Sequence, residues 1–333
     1  MKVLVTGAAG FVGSHVLKRL IELGIDARGL DNFSPYYSIE YKRKRLGHFA
    51  INQGSQVEKC DIADFTQVQD QVSRFKPNYV IHLAAQAGVR LGLDESETYI
   101  SSNILGFYNL IRSCIGSNVS GLLYASSSSV YGDSTETPYN ENAKSLRPKS
   151  AYGVSKLCNE LLADVYSQTS NLRFRGLRYF TVYGPWGRPD MAYFRMAAAA
   201  LGAGEFVLFG DGSVKRDFTY IDDVVANTIA LLDDLTRREP GFNDLVNIGG
   251  CRPLDMNYLI KEIAKNSDVT PKIKKGSASR LDSRITIADN TYLKSILGDI
   301  NFTSLEKGIE ILMNWAKQNE IRSELGSWVS STF

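Results

Sequence analysis

The stretch Lys2-Val3-Leu4-Val5-Thr6, followed at once by Gly7-Ala8-Ala9-Gly10-Phe11-Val12-Gly13, restricts the fold more than any other feature of this chain. An apolar β-branched run gives way to G-x-x-G-x-x-G, and helical periodicity then runs over 11–23. Glycines there permit a tight turn and let backbone N–H groups approach a pyrophosphate at a helix N-terminus, where the helix dipole favours an anion. Asp31 closes the next β-type run, "DARGLD", about 20 residues on, the place of a carboxylate that binds a ribose 2′-hydroxyl. A carboxylate at that point repels a 2′-phosphate, so the pattern favours NAD over NADP. Arg28 is nearby but sits inside the run. Asp61, at the end of "QVEKCD", is expected on the adenine side.

The rest of the first half repeats this rhythm. "NYVIHLAA", "GLLYASS" and "FRGLRYF" are apolar runs separated by helical stretches, the pattern of parallel strands joined by right-handed crossovers. The expected fold class is therefore α/β: a doubly wound parallel Rossmann sheet with a smaller C-terminal α/β substrate lobe. We expect the dinucleotide-binding domain over 1–185 and the lobe mainly over 186–333, with a strand near 245–249 ("LVNIG") rejoining the first sheet. "TRREPGFND" reads as a loop.

Across 333 residues, 38 basic against 36 acidic side chains leave a formal charge of +2, which points to neither nucleic acid nor a membrane surface as partner. Cys60, Cys114, Cys158 and Cys251 form no CxxC pair, and His15, His48 and His82 show no metal spacing, so no metal is expected and a reducing, cytoplasmic setting is. The N-terminus shows no leader pattern, and no apolar run is long enough to span a bilayer. His82 ends a strand and is expected as a satisfied core residue, the basic run "YKRKRLGHF" as a solvated helix face, and "SLEKGIEILMNWAKQ" as an amphipathic helix on the substrate lobe.

In "SAYGVSKLCNE", Tyr152 and Lys156 stand one helical turn apart and share a face. A phenol of pKa about 10 is a poor base at neutral pH, but an adjacent ammonium and a cationic nicotinamide would stabilise the phenolate. The same spacing also arises in surface pairs of no consequence. Val154, Leu157, Cys158, Leu161, Leu162 and Val165 make this helix apolar over more than one face, as packing on both the sheet and a second subunit would require. Upstream, "YASSSSVYG" presents four consecutive hydroxyls, Ser126 to Ser129, with no acid among them.

Together the glycine loop, "HLAAQAGV", "SSSSVYG", Tyr152/Lys156, "YFTVYGP" and "GDGSVKRDFTYIDDV" resemble the extended short-chain dehydrogenase/reductase superfamily of NAD-dependent nucleotide-sugar epimerases and dehydratases. "DNFSPYYSIEYKRKRL", "HLAAQAGVR" and "YGPWGRPDMA" are similar to the UDP-glucuronate 4-epimerases. The resemblance implies a catalytic set of Tyr152, Lys156 and Ser127. It implies NAD contacts from Gly7, Gly10, Phe11, Val12, Gly13, Asp31, Asn32, Asp61, Ile62, Leu83, Ala84, Ala85 and Asn103, with Tyr179 and Val182 flanking the nicotinamide. Arg216 would bind the diphosphate and Val207–Phe209 would lie beside the uracil of a UDP-sugar. Asp282 stands where relatives place a ribose-binding aspartate, although "RLD" replaces their proline-glycine-aspartate and shifts the register of Arg280. Arg90 could reach substrate or solvent.

Related 4,6-dehydratases carry acids at the positions of Ser128 and Ser129, and related decarboxylases carry a glutamate at that of Ser129. Here Ser127–Ser129 and Thr181 are expected to hold a uronate carboxylate through hydroxyls, with Arg188 as its cationic partner. The bland alternative makes the serines small neighbours of a cofactor and Arg188 a solvated charge. The function implied is reversible C4 epimerisation of UDP-glucuronate by a homodimer. The alternatives are a UDP-glucose or UDP-N-acetylhexosamine 4-epimerase, another nucleotide-sugar dehydratase, and a non-catalytic dinucleotide sensor.

Overall fold

A computed structural model describes residues 1–88, 96–132, 136–267, 269–277 and 283–331. Arg90, Arg280 and Asp282 lie outside them.

Alternation along the central strands shows why a parallel sheet forms. In β1 (Lys2–Thr6), Val3 and Val5 enter one apolar core while Leu4 enters another on the opposite face. The same split divides Val80 from Ile81 in β4 (Tyr79–His82), and Leu122 and Tyr124 from Leu123 in β5 (Gly121–Ser127). Strands buried on both faces need helices above and below, which crossover connections supply. With β2 (Asp26–Asp31), β3 (Val57–Lys59), β6 (Arg173–Tyr179) and β10 (Asn243–Ile248), they form a seven-stranded sheet in the order β10-β6-β5-β4-β1-β2-β3. Every pairing in it is parallel.

Helices α1 (Phe11–Glu22) and α7 (Ile221–Thr236) supply the first core. The second takes Val68 and Val72 of α3 (Phe65–Phe75), Phe107 and Leu110 of α4 (Gly106–Gly116), and Ala163 of α5 (Ala151–Thr169). Strand order reverses between β1 and β4, so a crevice opens beyond their C-terminal ends, the place where such sheets bind ligands.

The remaining strands make two small sheets. β7 (Thr181–Tyr183) runs parallel to β9 (Lys215–Tyr220), which also pairs with β11 (Pro253–Asp255). β8 (Phe206–Phe209) pairs with β12 (Ile273–Gly276). Around them pack α6 (Ala192–Ala200), α8 (Met256–Lys265), α10 (Leu305–Ala316), α11 (Asn319–Arg322) and α12 (Leu325–Ser330), whereas α9 (Thr291–Leu297) packs on β10 and α7.

Helix α2 (Ile39–His48) departs from the solvated face expected of the basic run. Arg43 is exposed, but Lys42 and Arg45 are 6% and 0% exposed. Tyr37 offers both cations an aromatic face and Tyr41 offers one to Arg45, and the Lys42 ammonium also donates to the Ser34 carbonyl at 2.7 Å. Arg45 reaches back to the glycine loop and donates to the Ala9 carbonyl at 2.8 Å.

Candidate active site

The glycine loop is built for close backbone approach. Gly7 holds φ +71°, and a Cβ there would stand 2.6 Å from the Ala84 nitrogen beyond β4. A Cβ on Gly13 would lie 2.1 Å from the Gly7 carbonyl oxygen, so α1 can sit against the loop only with glycine at this position. Gly10 caps α1 without a side-chain bond, and the first turn, with Phe11 and Val12, holds no acid. That end of the helix thus keeps its positive field, and its donors fit a pyrophosphate. The Asp31 carboxylate accepts from Ala9 N at 3.0 Å and Phe33 N at 2.7 Å, which locks β2 to the loop. Beyond it a cavity of about 520 Å³ is lined by Asn32, Phe33, Ser34, Pro35, Lys59, Asp61 and Gln67, space for the adenosine end of a dinucleotide. The Asn32 amide donates to Asp61 at 3.4 Å, and Ile62 is buried against Gly106 with its carbonyl accepting from Asn109. These residues fit NAD.

Across the crevice, Leu83, Ala84 and Ala85 form the half-buried loop after β4, tied to β1 by Leu83 N to the Thr6 carbonyl at 3.1 Å and Ala84 N to Thr6 Oγ1 at 3.2 Å. His82 is buried and shares a 2.7 Å hydrogen bond with Thr6 Oγ1, and burial pushes its pKa down to about 3. It is a core residue as expected, but satisfied on one side of the ring only: Nδ1 meets Thr6, while buried Nε2 has no partner among the described residues. Asn103 sits in the wide-pitched turn over Tyr99–Leu105 that leads into α4. It accepts from Gln86 N at 2.8 Å, and donates to the Gln86 carbonyl at 3.1 Å and to Ser155 Oγ at 2.9 Å. It therefore fastens the loop after β4 to the helix that carries Tyr152.

Ser127 ends β5, and its hydroxyl caps the single turn over Ser128–Val130, accepting from Ser129 N and donating to Ser129 Oγ, both at 3.1 Å. Half-buried Tyr152 lies close enough to the Ser127 hydroxyl and to Arg188 to feel both. Lys156 is 1% exposed, donates to the Ala125 carbonyl at 2.8 Å, and lies 5.9 Å from the centre of the Tyr152 ring. The fold thus brings Ser127, Tyr152 and Lys156 together. Burial raises the Tyr152 phenol above its ordinary value despite Ser127 and Arg188, which both pull it down. Burial also lowers Lys156 to about 8. In both groups removal from water is the largest cause of the shift.

Arg188, 21% exposed, is not a solvated loop charge. Its Nε and Nη2 donate to both oxygens of Asp190 at 3.0 and 2.5 Å. Thr181 and Val182 are half-buried in β7. Tyr179 directs its hydroxyl to Thr228 of α7 at 2.9 Å, inside the core, so its side chain is spent on packing. On the far lobe, Val207 and Phe209 stand in β8, with Phe209 exposed. Arg216 donates to the carbonyls of Ser283 and Lys215.

Glu160 escaped the sequence reading. One turn beyond Lys156, it grips buried Arg178 of β6 through two 2.8 Å bonds and accepts from Ser126 Oγ at 2.5 Å. The i, i+4, i+8 spacing of Tyr152, Lys156 and Glu160 was the available signal, since it puts all three on one face.

Residues 3–249 match the NAD dependent epimerase/dehydratase family. The chain belongs to this family. As a member of it, the protein is NAD-dependent, and its crevice and Ser127–Tyr152–Lys156 set occupy the matched segment. It is 37% identical to UDP-glucuronate 4-epimerase 4 of Arabidopsis thaliana over 94% of this chain and 74% of that protein. In structure it is similar to the UDP-glucuronic acid 4-epimerase of Bacillus cereus, solved with UDP-glucuronic acid and NAD (TM-score 0.86, 32% identity, 96% of this chain and 99% of that one). It also resembles a UDP-glucose 4-epimerase from Thermotoga maritima, solved with UDP-glucose (TM-score 0.82, 30% identity, 95% and 98%). No described helix is long and apolar enough to cross a membrane, and no described group of His, Cys, Asp and Glu could hold a metal ion.

Proposed function

We propose that this epimerase/dehydratase family member interconverts UDP-glucuronate and UDP-galacturonate by reversible epimerisation at C4. The observation that carries the reading is the proximity of Ser127 to Tyr152, beside acid-free hydroxyls and within the field of a partly buried guanidinium. The glycine loop and Asp31 would hold NAD, which would supply hydride exchange at C4. The chain supplies everything else. Tyr152 takes the proton of the C4 hydroxyl and later returns it, with Ser127 hydrogen-bonded to the same oxygen. A phenol held out of water gains most from a nearby positive charge: Arg188 supplies one, and Lys156, on the same face of α5, would act with the cationic nicotinamide that the site would hold.

Once C4 is a ketone, a uronate becomes a β-keto acid that loses CO₂ readily. Ser127–Ser129 and Thr181 can hold its carboxylate through hydroxyls while Arg188 offers N–H donors, and neither Ser128 nor Ser129 brings an acid to drive elimination. The sugar then presents its other face. We assign the UDP end to the second lobe, with β8 (Val207–Phe209) beside the uracil and Arg216 near the diphosphate. A second copy of the chain would cover Ile100, Leu105, Val154, Leu161 and Val165, which are 45–62% exposed on α5 and the turn before α4. Four unpaired cysteines fit a reducing compartment.

The test is product analysis by NMR after the purified protein and NAD receive UDP-glucuronate. The C4 epimer of the uronate is expected. A pentose with CO₂, or equal turnover of UDP-glucose, rejects the assignment.

A further inference from the structure

Arg188 is held in a way that the reaction itself does not require. Asp190 takes its Nε/Nη2 edge with two hydrogen bonds, and Tyr36 donates to the same Asp190 oxygen at 3.3 Å. The Tyr36 ring stands 5.8 Å from the guanidinium carbon. Glycine at 88 leaves room for this arrangement, because a Cβ there would meet the Tyr36 hydroxyl at 2.5 Å and come within 3.8 Å of Arg188 Nη2. Gly88 in turn accepts from the Tyr99 hydroxyl at 2.6 Å, and the Tyr99 ring lies 6.1 Å from that of Tyr152. Tyr36 therefore extends from the loop after β2, whose 32–35 segment lines the adenosine-side cavity, to the sugar end of the crevice.

A guanidinium has five N–H donors and two forks fit to take carboxylates. With the Nε/Nη2 side committed to Asp190, the end-on fork of Nη1 and the second Nη2 proton remains, and no described carboxylate occupies it. Resting on the uronate reading above, we propose that Asp190 and Tyr36 are positioning residues. They fix Arg188 so that its end-on fork meets the C6 carboxylate, and so set the preference for an anionic over a neutral sugar. Without them the long side chain would have to lose its rotamer freedom at each binding event, and only substrates that use the guanidinium would suffer.

The decisive measurement is calorimetric binding of UDP-glucuronate and UDP-glucose to NAD-saturated protein in a Tyr152→Phe background, where turnover is blocked. Asp190→Asn keeps the shape but loses one acceptor and the charge. It is expected to weaken uronate binding roughly tenfold while UDP-glucose binding stays within about twofold. Tyr36→Phe should move in the same direction by less, and Asp190→Glu should recover part of the loss. Equal weakening of both sugars would make Asp190 merely structural. Tighter uronate binding would make it a competitor of the substrate. Unchanged binding would remove any role, and each of these results overturns the proposal. Wild-type epimerisation followed by NMR in parallel separates its failure from failure of the uronate reading.

Discussion

Glu160→Ala is the perturbation that best tests how this fold holds its chemistry. Glu160 and Arg178 are 6% and 1% exposed and joined by two 2.8 Å bonds, with Ser126 as a third partner. Removing the carboxylate leaves a guanidinium buried with only the Tyr131 hydroxyl at 2.9 Å and the Glu141 carbonyl at 3.3 Å. Stranding one partner of a buried pair costs about 3–5 kcal/mol. A chain of 333 residues unfolds with an entropy near 0.7 kcal/mol/K, so the melting point should fall by roughly 4–7 °C. The pair also sets geometry. Ser126 precedes Ser127, Arg178 lies in the strand beside it, and Glu160 is two turns from Tyr152, so slack here lets the phenol drift from the serine. Displacement of about 1 Å can cost 10²-fold in rate, and kcat should fall far more than KM rises. Scanning calorimetry and steady-state epimerisation read the two effects separately. Glu160→Ala/Arg178→Met should regain most of the melting point, because no buried charge is left unpaired. A loss below about 1 °C in the single variant, or no recovery in the double, would refute the reasoning.

Other consequences follow from burial and space. Lys156, held near 8 against an unfolded 10.5, is a buried cation whose cost at pH 7 is on the order of 3 kcal/mol. The unfolded chain binds the extra proton between pH 8 and 10.5, so this destabilisation is complete below 8 and relieved as pH climbs through that window. Lys156→Met, which gives up the bond to Ala125, should therefore be inactive yet melt higher at pH 7, with the gap narrowing by pH 10 in thermal scans. Gly13→Ala, with its Cβ 2.1 Å from the Gly7 carbonyl, should weaken NAD binding at least about tenfold and cost about 1–3 kcal/mol. By contrast Gly47→Ala, in α2 with nothing within 4 Å, should gain up to about 1 kcal/mol, as denaturant titration would show. Leu161→Glu, on the 60%-exposed outer face of α5, should give monomers in sedimentation if a second copy covers that face.

What could be read from the chain, and what could not, follows from where each residue finds its partner. The glycine loop, the serine turn and Tyr152/Lys156 were legible because each is a short local pattern whose geometry is set by one turn or one helix. The central strands were legible because two-sided burial leaves unbroken apolar runs. The fragments β7, β8, β11 and β12 are three or four residues long, too short for a period to emerge.

The basic run of α2 shows the deeper obstacle. Charge is a sound guide to solvent only when nothing nearby can satisfy it. Lys42 is buried because Tyr37 presents its ring face and the Ser34 carbonyl accepts its proton. Arg45 is met only in part, with Nη1 donating to the Tyr37 hydroxyl and to the Ala9 carbonyl 36 residues away and the Tyr37 and Tyr41 rings beside it, while its Nε and Nη2 find no partner among the described residues. Asp190 is the sharper case: Tyr36, 154 residues distant, shares the carboxylate that grips Arg188, so a residue two places from an obvious arginine acquires its meaning from the opposite half of the chain. Local pattern thus identifies the groups proposed to react, whereas the groups that hold them in place are chosen by the fold. For that reason substitutions at Asp190 and Glu160 discriminate better than those at Tyr152 between a site that merely contains its chemistry and one held ready for it.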